Sequence, residues 1–198
     1  MQHRHLAVIA ILCAALAVSF AEAQGTAPAV VAPAAPPMLS GPADFNLEET
    51  SGVMRTLHEV RGRLAIVFYE DRAHTSDNND LKMTLYRFIS DNNLRPQITT
   101  YGVADLTGVE GLMQDMARTA IRAIAAQYGI QILLDWQSRL QQAPFNFPTG
   151  NSTIGVFDRQ GRLRYRQSGV HGPAEQSALF RVLRQLLREP AAPAAPSP

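Results

Sequence analysis

The six residues from Leu64 to Tyr69 form an unbroken apolar run, LAIVFY, and this run constrains the fold more than any other segment. A strand without alternating polar residues has to be buried on both of its faces. That pattern is typical of a central strand in a sheet that is covered on each side. The sequence therefore predicts a layered α/β domain with this strand near the middle of its sheet.

Segments with helical and β patterns alternate around this strand. Apolar residues recur at helical spacing in three stretches, which follow residue 75 and cover 108–127 and 173–188. The second helix is predicted to carry one apolar stripe, formed by Leu112, Met113, Met116, Ala120, Ile121 and Ile124. Further strands are predicted at 97–104, 130–134, 153–157 and 163–167. The last two strands form a hairpin, so the predicted sheet is mixed.

The first 23 residues have the layout of a secretory signal peptide. Basic residues come first, the apolar run Leu6–Phe20 follows, and Ala21-Glu22-Ala23 provides an A-x-A cleavage site before Gln24. A retained membrane anchor is the alternative, but the run is shorter than the roughly 20 apolar residues that a span requires. We therefore expect a periplasmic or secreted protein that is not an integral membrane protein after cleavage.

The rest of the chain divides by composition. Residues 24–43 and 190–198 are rich in Ala and Pro, which predicts a linker and a disordered tail. Residues 44–189 remain as one predicted domain. The net charge of +1 argues against nucleic acid as a partner.

Cys13 is the only cysteine, and it lies within the predicted signal peptide. After cleavage the protein would contain no thiol, which excludes disulfides and thiolate metal sites even in a compartment that permits disulfides. No cofactor is predicted.

Four groups of residues follow one another along the predicted domain in an order and spacing that one known family shares. They are Phe45-x-Leu47 with Gly52, Leu57 and Arg61-Gly62; Val67-Phe68-Tyr69; Leu133-Leu134-Asp135 followed by Ala143; and Asp158-x-x-Gly161-x-Leu163-x-Tyr165-Arg166 with the apolar strand before it. Together they resemble the redoxin branch of the thioredoxin-like superfamily, which includes AhpC/TSA-type peroxiredoxins and periplasmic thiol-disulfide proteins. The stretch 106–136 is also similar to the cysteine-free YtfJ-like periplasmic proteins. The resemblance implies a thioredoxin-like three-layer α/β/α sandwich with a mixed central sheet and an N-terminal β-hairpin.

The family's thiol positions hold other residue types in this sequence. Placed on the thioredoxin pattern, the two cysteines become Ala73 and Ser76, and the peroxidatic cysteine of peroxiredoxins becomes Asp77. The thiolate is the nucleophile in both chemistries. Neither thiol-disulfide oxidoreductase nor peroxiredoxin activity is therefore expected.

The supporting positions of the family's site are changed as well. The family's proline after the first core strand becomes Glu70, and its threonine becomes His74. The cis-proline of thioredoxins and the active-site arginine of peroxiredoxins both fall on Ser152. The resemblance thus implies a scaffold from which the whole redox site has been removed.

We expect the former active-site face to bind a protein or small ligand of the cell envelope without catalysis. Its candidate residues are Glu70, Asp71, Ala73, His74, Ser76, Asp77, Trp136 and Ser152. The helix start behind the loop could receive an anion, or Asp77 could satisfy it with its own carboxylate.

The alternative is a metal-dependent or acid/base enzyme that uses the Glu70–Asp77 loop, with Glu70, Asp71 and His74 as its ligands or catalytic groups. His58 and His171 are predicted to be surface residues, and Trp136 is expected to be mostly packed.

Arginines recur on one strand and on the last helix. Arg162, Arg164 and Arg166 alternate and therefore share one face of their strand. This pattern favours a charged, soluble strand face. The other interpretation is a surface for an anionic partner, joined by Arg181, Arg184 and Arg188.

Overall fold

The computed structural model describes residues 41–190, so the predicted signal peptide, nearly all of the predicted linker and the tail beyond 190 lie outside the described residues. Within this range the elements are β1 (Asn46–Glu49), β2 (Met54–Thr56), β3 (Leu64–Glu70), α1 (Asn79–Asp91), β4 (Ile98–Asp105), α2 (Leu112–Tyr128), β5 (Ile132–Asp135), β6 (Thr153–Phe157), β7 (Leu163–Ser168) and α3 (Pro173–Arg188). Short 3-10 helices cover His58–Val60 and Arg139–Gln141.

The strands form one mixed sheet in the order β2-β1-β5-β4-β3-β6-β7. Strands β3, β4 and β5 are parallel to one another, whereas β6 is antiparallel to β3 and pairs with β7 as a hairpin. Strands β1 and β2 form the N-terminal hairpin and join the sheet through β5. The predicted α/β fold with a mixed central sheet and an N-terminal β-hairpin is confirmed.

Three parallel strands end at the same edge of the sheet, which we call the carboxyl edge. Strand β3 ends there at Glu70, β4 at Asp105 and β5 at Asp135. Because β6 runs antiparallel to β3, with Thr153 opposite Tyr69, its first residues begin at this edge too. Residues that are far apart in sequence therefore meet here.

The two faces of β3 are covered by different parts of the chain. Leu64, Ile66 and Phe68 pack against apolar side chains of α1 and α3. The alternate residues, including Val67 and Tyr69, face a core built from the N-terminal segment, the 3-10 helices and the loop between β5 and β6. As the unbroken apolar run predicts, β3 is buried on both faces up to Glu70.

The loop between β5 and β6 inserts aromatic side chains into the second core. Phe147 is buried, and its ring centroid lies 5.8 Å from that of Tyr69. A Cβ at position 155 would lie 2.7 Å from Cζ of Phe147, so only glycine leaves room for this ring over β6. The absence of a side chain at Gly155 thus fixes how the loop that leads to Ser152 folds.

The helix α2 differs from the prediction. Its apolar stripe is divided, because Ala120, Ile121 and Ile124 are half-buried whereas Leu112, Met113 and Met116 are 76%, 59% and 51% exposed. None of the residues of α2 is fully buried. The helix is attached to the sheet partly by polar contacts: Arg118 pairs with Glu48, and Arg122 Nε donates to the Thr50 carbonyl at 2.8 Å. Among the residues that the structure describes, no helix is long and apolar enough to span a membrane.

Candidate functional site

Glu70, the last residue of β3, is the first of the candidate site residues along the chain, and its carboxylate points into the protein. Lys82 Nζ on α1 donates to Glu70 Oε2 at 2.7 Å, and the side chains of both residues are largely buried. Ser152 Oγ donates to Glu70 Oε1 at 2.6 Å. Lys82 also donates to the Thr75 carbonyl at 2.7 Å. Each of the two carboxylate oxygens therefore has a partner.

A second group of buried polar residues continues this network. Asn78 Nδ2 donates to Ser152 Oγ at 2.8 Å and to the Gly169 carbonyl at 3.0 Å. The backbone N–H of His171 donates to Asn78 Oδ1 at 2.8 Å. One amide side chain thus joins the start of α1, the start of β6 and the β7–α3 connection. We call Glu70, Asn78, Lys82, Ser152 and His171 the buried polar network.

Burial and charge set the ionisation of this network. Burial raises the pKa of Glu70 above its usual range, while Lys82 and the hydrogen bond from Ser152 act in the opposite direction. Burial lowers the pKa of His171, whose side chain favours the neutral form. Nε2 of His171 is buried and has no hydrogen-bond partner among the described residues. A proton added to this ring would therefore be a buried charge, which the Gly169 carbonyl and Glu175 offset only in part.

The loop that follows Glu70 is organised by Asp71. Its Oδ1 accepts the backbone N–H groups of Ala73 at 2.9 Å and His74 at 3.0 Å, and lies 2.6 Å from Nδ1 of His74. Asp71 therefore fixes the turn that follows β3, and these N–H groups lie before the first turn of α1. That the helix start receives an anion or the Asp77 carboxylate stays a prediction.

Ser76 and Asp77 lie in turns before α1 rather than in its first turn, since the helix begins only at Asn79. Ser76 is exposed and Asp77 is half-buried. The hydrogen bonds of the His74 side chain in the described residues run to Asp71 and do not include Ser76. The geometry therefore provides a His–carboxylate pair without an attached hydroxyl nucleophile.

Trp136 lies at the carboxyl edge but apart from this loop. It follows β5, and β4 separates it from β3. Its indole Nε1 donates to Glu48 Oε2 at 3.2 Å, and the guanidinium of Arg118 lies 5.5 Å from the centre of its ring. Trp136 therefore connects α2 to the N-terminal hairpin. It is partly buried, in agreement with the packing that we expected.

The structure brings Glu70 and Ser152 together and leaves Asp71, Ala73, His74, Ser76 and Asp77 as the loop above them. Sequence reasoning missed Lys82, Asn78 and His171. The prediction that His171 is a surface residue is wrong, since it is 3% exposed and Asn78 holds its backbone. His58 is exposed, as predicted. Lys82 could have been singled out from the sequence, because it is the only lysine among 18 Lys and Arg residues.

The arginines of β7 are engaged within the protein. Arg162 Nε lies 2.7 Å from Asp158 Oδ2, and Arg164 bridges Asp158 and Glu189 at 3.0 Å each. Arg166 donates to the Phe145 carbonyl at 2.7 Å. Burial alone would raise the pKa of Asp158, but the hydrogen bonds from Arg162 and Arg164 lower it below its usual range. The anionic-partner interpretation therefore does not apply to the β7 arginines.

The geometry does not support the metal site that the sequence suggested. Glu70 is turned inward to Lys82 and Ser152, while Asp71 is engaged by His74. Among residues 41–190 no group of three His, Cys, Asp or Glu side chains could hold a metal ion. Glu70, Asp71 and His74 therefore do not form the ligand set that the sequence suggested.

No protein-family model matches the chain, and no curated protein matches it in sequence. Solved structures do match it. A putative protein disulfide isomerase from Bacteroides thetaiotaomicron is 15% identical with a TM-score of 0.53, over 75% of this chain and 89% of that one. A putative thiol:disulfide interchange protein DsbE from Chlorobium tepidum is 14% identical with a TM-score of 0.52, over 74% and 95%.

A third structure, BsSco, is a member of the Sco family of cytochrome c oxidase assembly proteins. It is 10% identical with a TM-score of 0.52, and the match covers 78% of this chain and 99% of that one. These similarities show the fold, and the protein is thus a thioredoxin-fold protein, as the sequence predicted.

Proposed function

We propose that the protein is an exported thioredoxin-fold protein without thiol redox activity, which binds a partner protein through the carboxyl edge of its sheet. One observation carries this proposal. At the place of the redox site, the buried Glu70–Lys82 ion pair and Ser152 are bonded to one another, so the polar groups there serve the fold. The disulfide isomerase and the thiol:disulfide interchange protein share the fold, but thiol-disulfide exchange requires a thiolate, and the family pattern assigns its two cysteine positions to Ala73 and Ser76.

The surface above the buried polar network supports the binding role. Ala73 and Ser76 are exposed on the loop after β3. Leu112, Met113 and Met116 are exposed where α2 begins, after β4 has ended at the same edge. Exposed large apolar side chains that lie together mark interaction surfaces. A partner protein that presents apolar side chains fits this surface.

Export is supported by the sequence of residues 1–23. Its basic start, apolar run and A-x-A tripeptide predict cleavage before Gln24. N-terminal sequencing of the protein from an envelope fraction should give Gln24 as the first residue. Recovery of the uncleaved chain, or of the protein only in the cytosol, would contradict export.

The redox part of the proposal is tested by insulin reduction and by peroxide consumption. With dithiothreitol as the electron donor, the purified protein should add nothing to the rate of the donor alone, because no thiolate stands at the carboxyl edge. A Cys13→Ser variant controls for thiol from an uncleaved leader. A rate above the donor alone that persists in this variant would overturn the proposal.

The binding part is tested by capture from an envelope extract with two matched variants. The variant L112Q/M113Q/M116Q should lose the captured partner. The control V53T/M54Q/I130T changes three other exposed apolar residues, 46–49% exposed, near the opposite edge, and should retain it. Equal retention by both variants would place the interface elsewhere.

The second candidate is acid/base chemistry by the half-buried His74–Asp71 pair, whose Nδ1 to Oδ1 distance is 2.6 Å. Asp71 would fix the ring, leaving Nε2 to exchange a proton with a bound substrate. A hydrolase screen with general ester and phosphate substrates compares the protein with H74A. Turnover that disappears in H74A would favour this candidate over a non-catalytic role.

A further inference from the structure

The exposed face of α3 carries an arginine ridge, which we define as Arg181, Arg184 and Arg188. The spacing of three and four residues places the three side chains on one side of the helix, over about 10 Å of its length. The opposite side of α3 is fixed in the core by Leu179 and Leu183, which are fully buried. The ridge therefore faces away from the protein in a defined orientation.

Glu189, which directly follows the ridge along the chain, is already occupied, and so is Asp158, which shares Arg164 with it. Glu189 is bound by Arg164, with both nitrogen–oxygen distances at 3.0 Å, and Asp158 is bound by Arg162 and Arg164. Within residues 41–190 none of the ion pairs involves an arginine of the ridge. The three positive charges of the ridge are therefore not neutralised by this part of the chain.

The segments that flank the domain after the predicted signal peptide do not offer acidic side chains either. Residues 23–43 and 190–198 contain no Asp or Glu. A chain with a net charge of only +1 thus concentrates three unneutralised positive charges on one helix face. The occupant of this face has to bring its own negative charge, since opposite potentials attract and like potentials exclude wrong partners.

The remaining side chains of this face indicate which kind of anionic surface fits. The exposed positions of α3 include neither an acidic residue nor a large apolar one. Protein interfaces depend on apolar or aromatic anchors in desolvated pockets, and the ridge lines an open depression together with Gln185, Pro190 and Glu189, whose carboxylate is bound by Arg164. Contact with phospholipid headgroups needs charge without an anchor.

The geometry points to peripheral binding of α3 to an anionic phospholipid surface through Arg181, Arg184 and Arg188. This surface lies on a different element from the partner surface at the start of α2, so the two functions are separable. Basic residues near an anionic bilayer contribute additively, and loss of three should lower the partition coefficient on the order of 100-fold. The attraction should weaken as salt increases, because the charges are exposed.

Co-sedimentation of the full chain with vesicles tests this inference. Binding is expected to vesicles of phosphatidylcholine with about one third phosphatidylglycerol, and not to pure phosphatidylcholine. Binding should weaken as the salt concentration rises from about 50 to about 300 mM, because the screening length shortens over this range. The variant R181Q/R184Q/R188Q should lose it.

The control variant R61Q/R95Q/R139Q removes the same charge from exposed arginines on other elements and should retain binding. Equal loss of vesicle binding in the two variants would show that net charge alone determines binding, and this result would overturn the inference. So would the absence of binding to anionic vesicles. Capture on immobilised polyglutamate without vesicle binding would assign the ridge to an acidic protein, which also overturns it. An unchanged thermal midpoint of each variant confirms that it is folded.

Discussion

The connection from β3 to α1 and the connection from β4 to α2 leave the sheet at the same edge, yet they are stabilised in opposite ways. The first is held by Asn78 and Lys82, whose buried polar atoms are bonded to three other segments. The second leads into a helix without a fully buried residue, whose first turns expose Leu112 and Met113.

The first connection is held by satisfied hydrogen bonds within the protein, whereas the second exposes apolar side chains to solvent. Buried polar groups that are mutually satisfied fix one arrangement of the chain, because any opening leaves a partner without its hydrogen bond. Exposed apolar groups gain nothing in the isolated protein and become favourable only when another surface covers them. We therefore expect the connection from β3 to α1 to contribute stability, whereas the start of α2 is the part that we propose for binding.

The largest effect is expected when the buried ion pair is broken. Lys82→Met leaves the Glu70 carboxylate buried without its cation, so the free energy of unfolding should fall by about 3 kcal/mol or more. Urea unfolding at pH 7 measures this loss. The double variant E70Q/K82M removes both charges and should recover most of it. A loss below about 1 kcal/mol in the single variant would mean that the pair behaves as an exposed one.

A smaller loss is expected from Asn78→Ala. The substitution removes the amide from Ser152 and the Gly169 carbonyl and leaves the His171 N–H without an acceptor. Unsatisfied buried groups of this kind cost about 2 kcal/mol in total stability. The control is Asn92→Ala, whose amide makes one exposed contact to the Phe88 carbonyl. Similar urea midpoints for the two variants would show that the network does not hold these segments.

The pH dependence of stability should show the effect of burying His171. Its pKa is lowered by burial, so the unfolded chain binds this proton more tightly than the folded protein does. Stability should therefore be lost as pH falls through the ordinary histidine value of about 6.5. Urea midpoints at pH 7.5 and 5.5 should differ less in His171→Gln than in the parent protein. His58→Gln, at an exposed position, should leave the difference as it was.

The smallest effect on stability is expected at the exposed start of α2. L112Q/M113Q/M116Q keeps good helix formers at solvent-exposed positions, so the unfolding free energy should change by about 0.5 kcal/mol or less. A thermal melt beside the capture experiment measures this. A marked destabilisation would show that these side chains are packed within the protein. The two connections would then not differ in the way described.

Much of the fold could be predicted because it follows from periodicity. The run from Leu64 to Tyr69 predicts a strand buried on both faces, and α3 begins and ends at the predicted residues Pro173 and Arg188. The divided stripe of α2 was not predictable in the same way. Helical spacing shows that Leu112 and Met116 share a face, but it does not show whether another element covers that face.

The candidate site was predictable only in part, for a related reason. Glu70 and Ser152 were found through the family pattern, which predicts one at the end of β3 and the other just before β6 begins. Asn78 and His171 are 93 residues apart, and their contact depends on how the β7–α3 connection returns to the sheet. A histidine near a helix start has no local feature that distinguishes a buried position from an exposed one.

Amide hydrogen exchange of the two connections compares them most directly. In peptides covering residues 71–81 and 108–118, the account predicts that the first exchanges at least about tenfold more slowly, because opening it breaks the buried polar network. The Lys82→Met variant should accelerate exchange in the first peptide and leave the second unchanged. Equal exchange in the two peptides of the parent protein would contradict a connection from β3 to α1 that is held by the buried polar network beside an open start of α2.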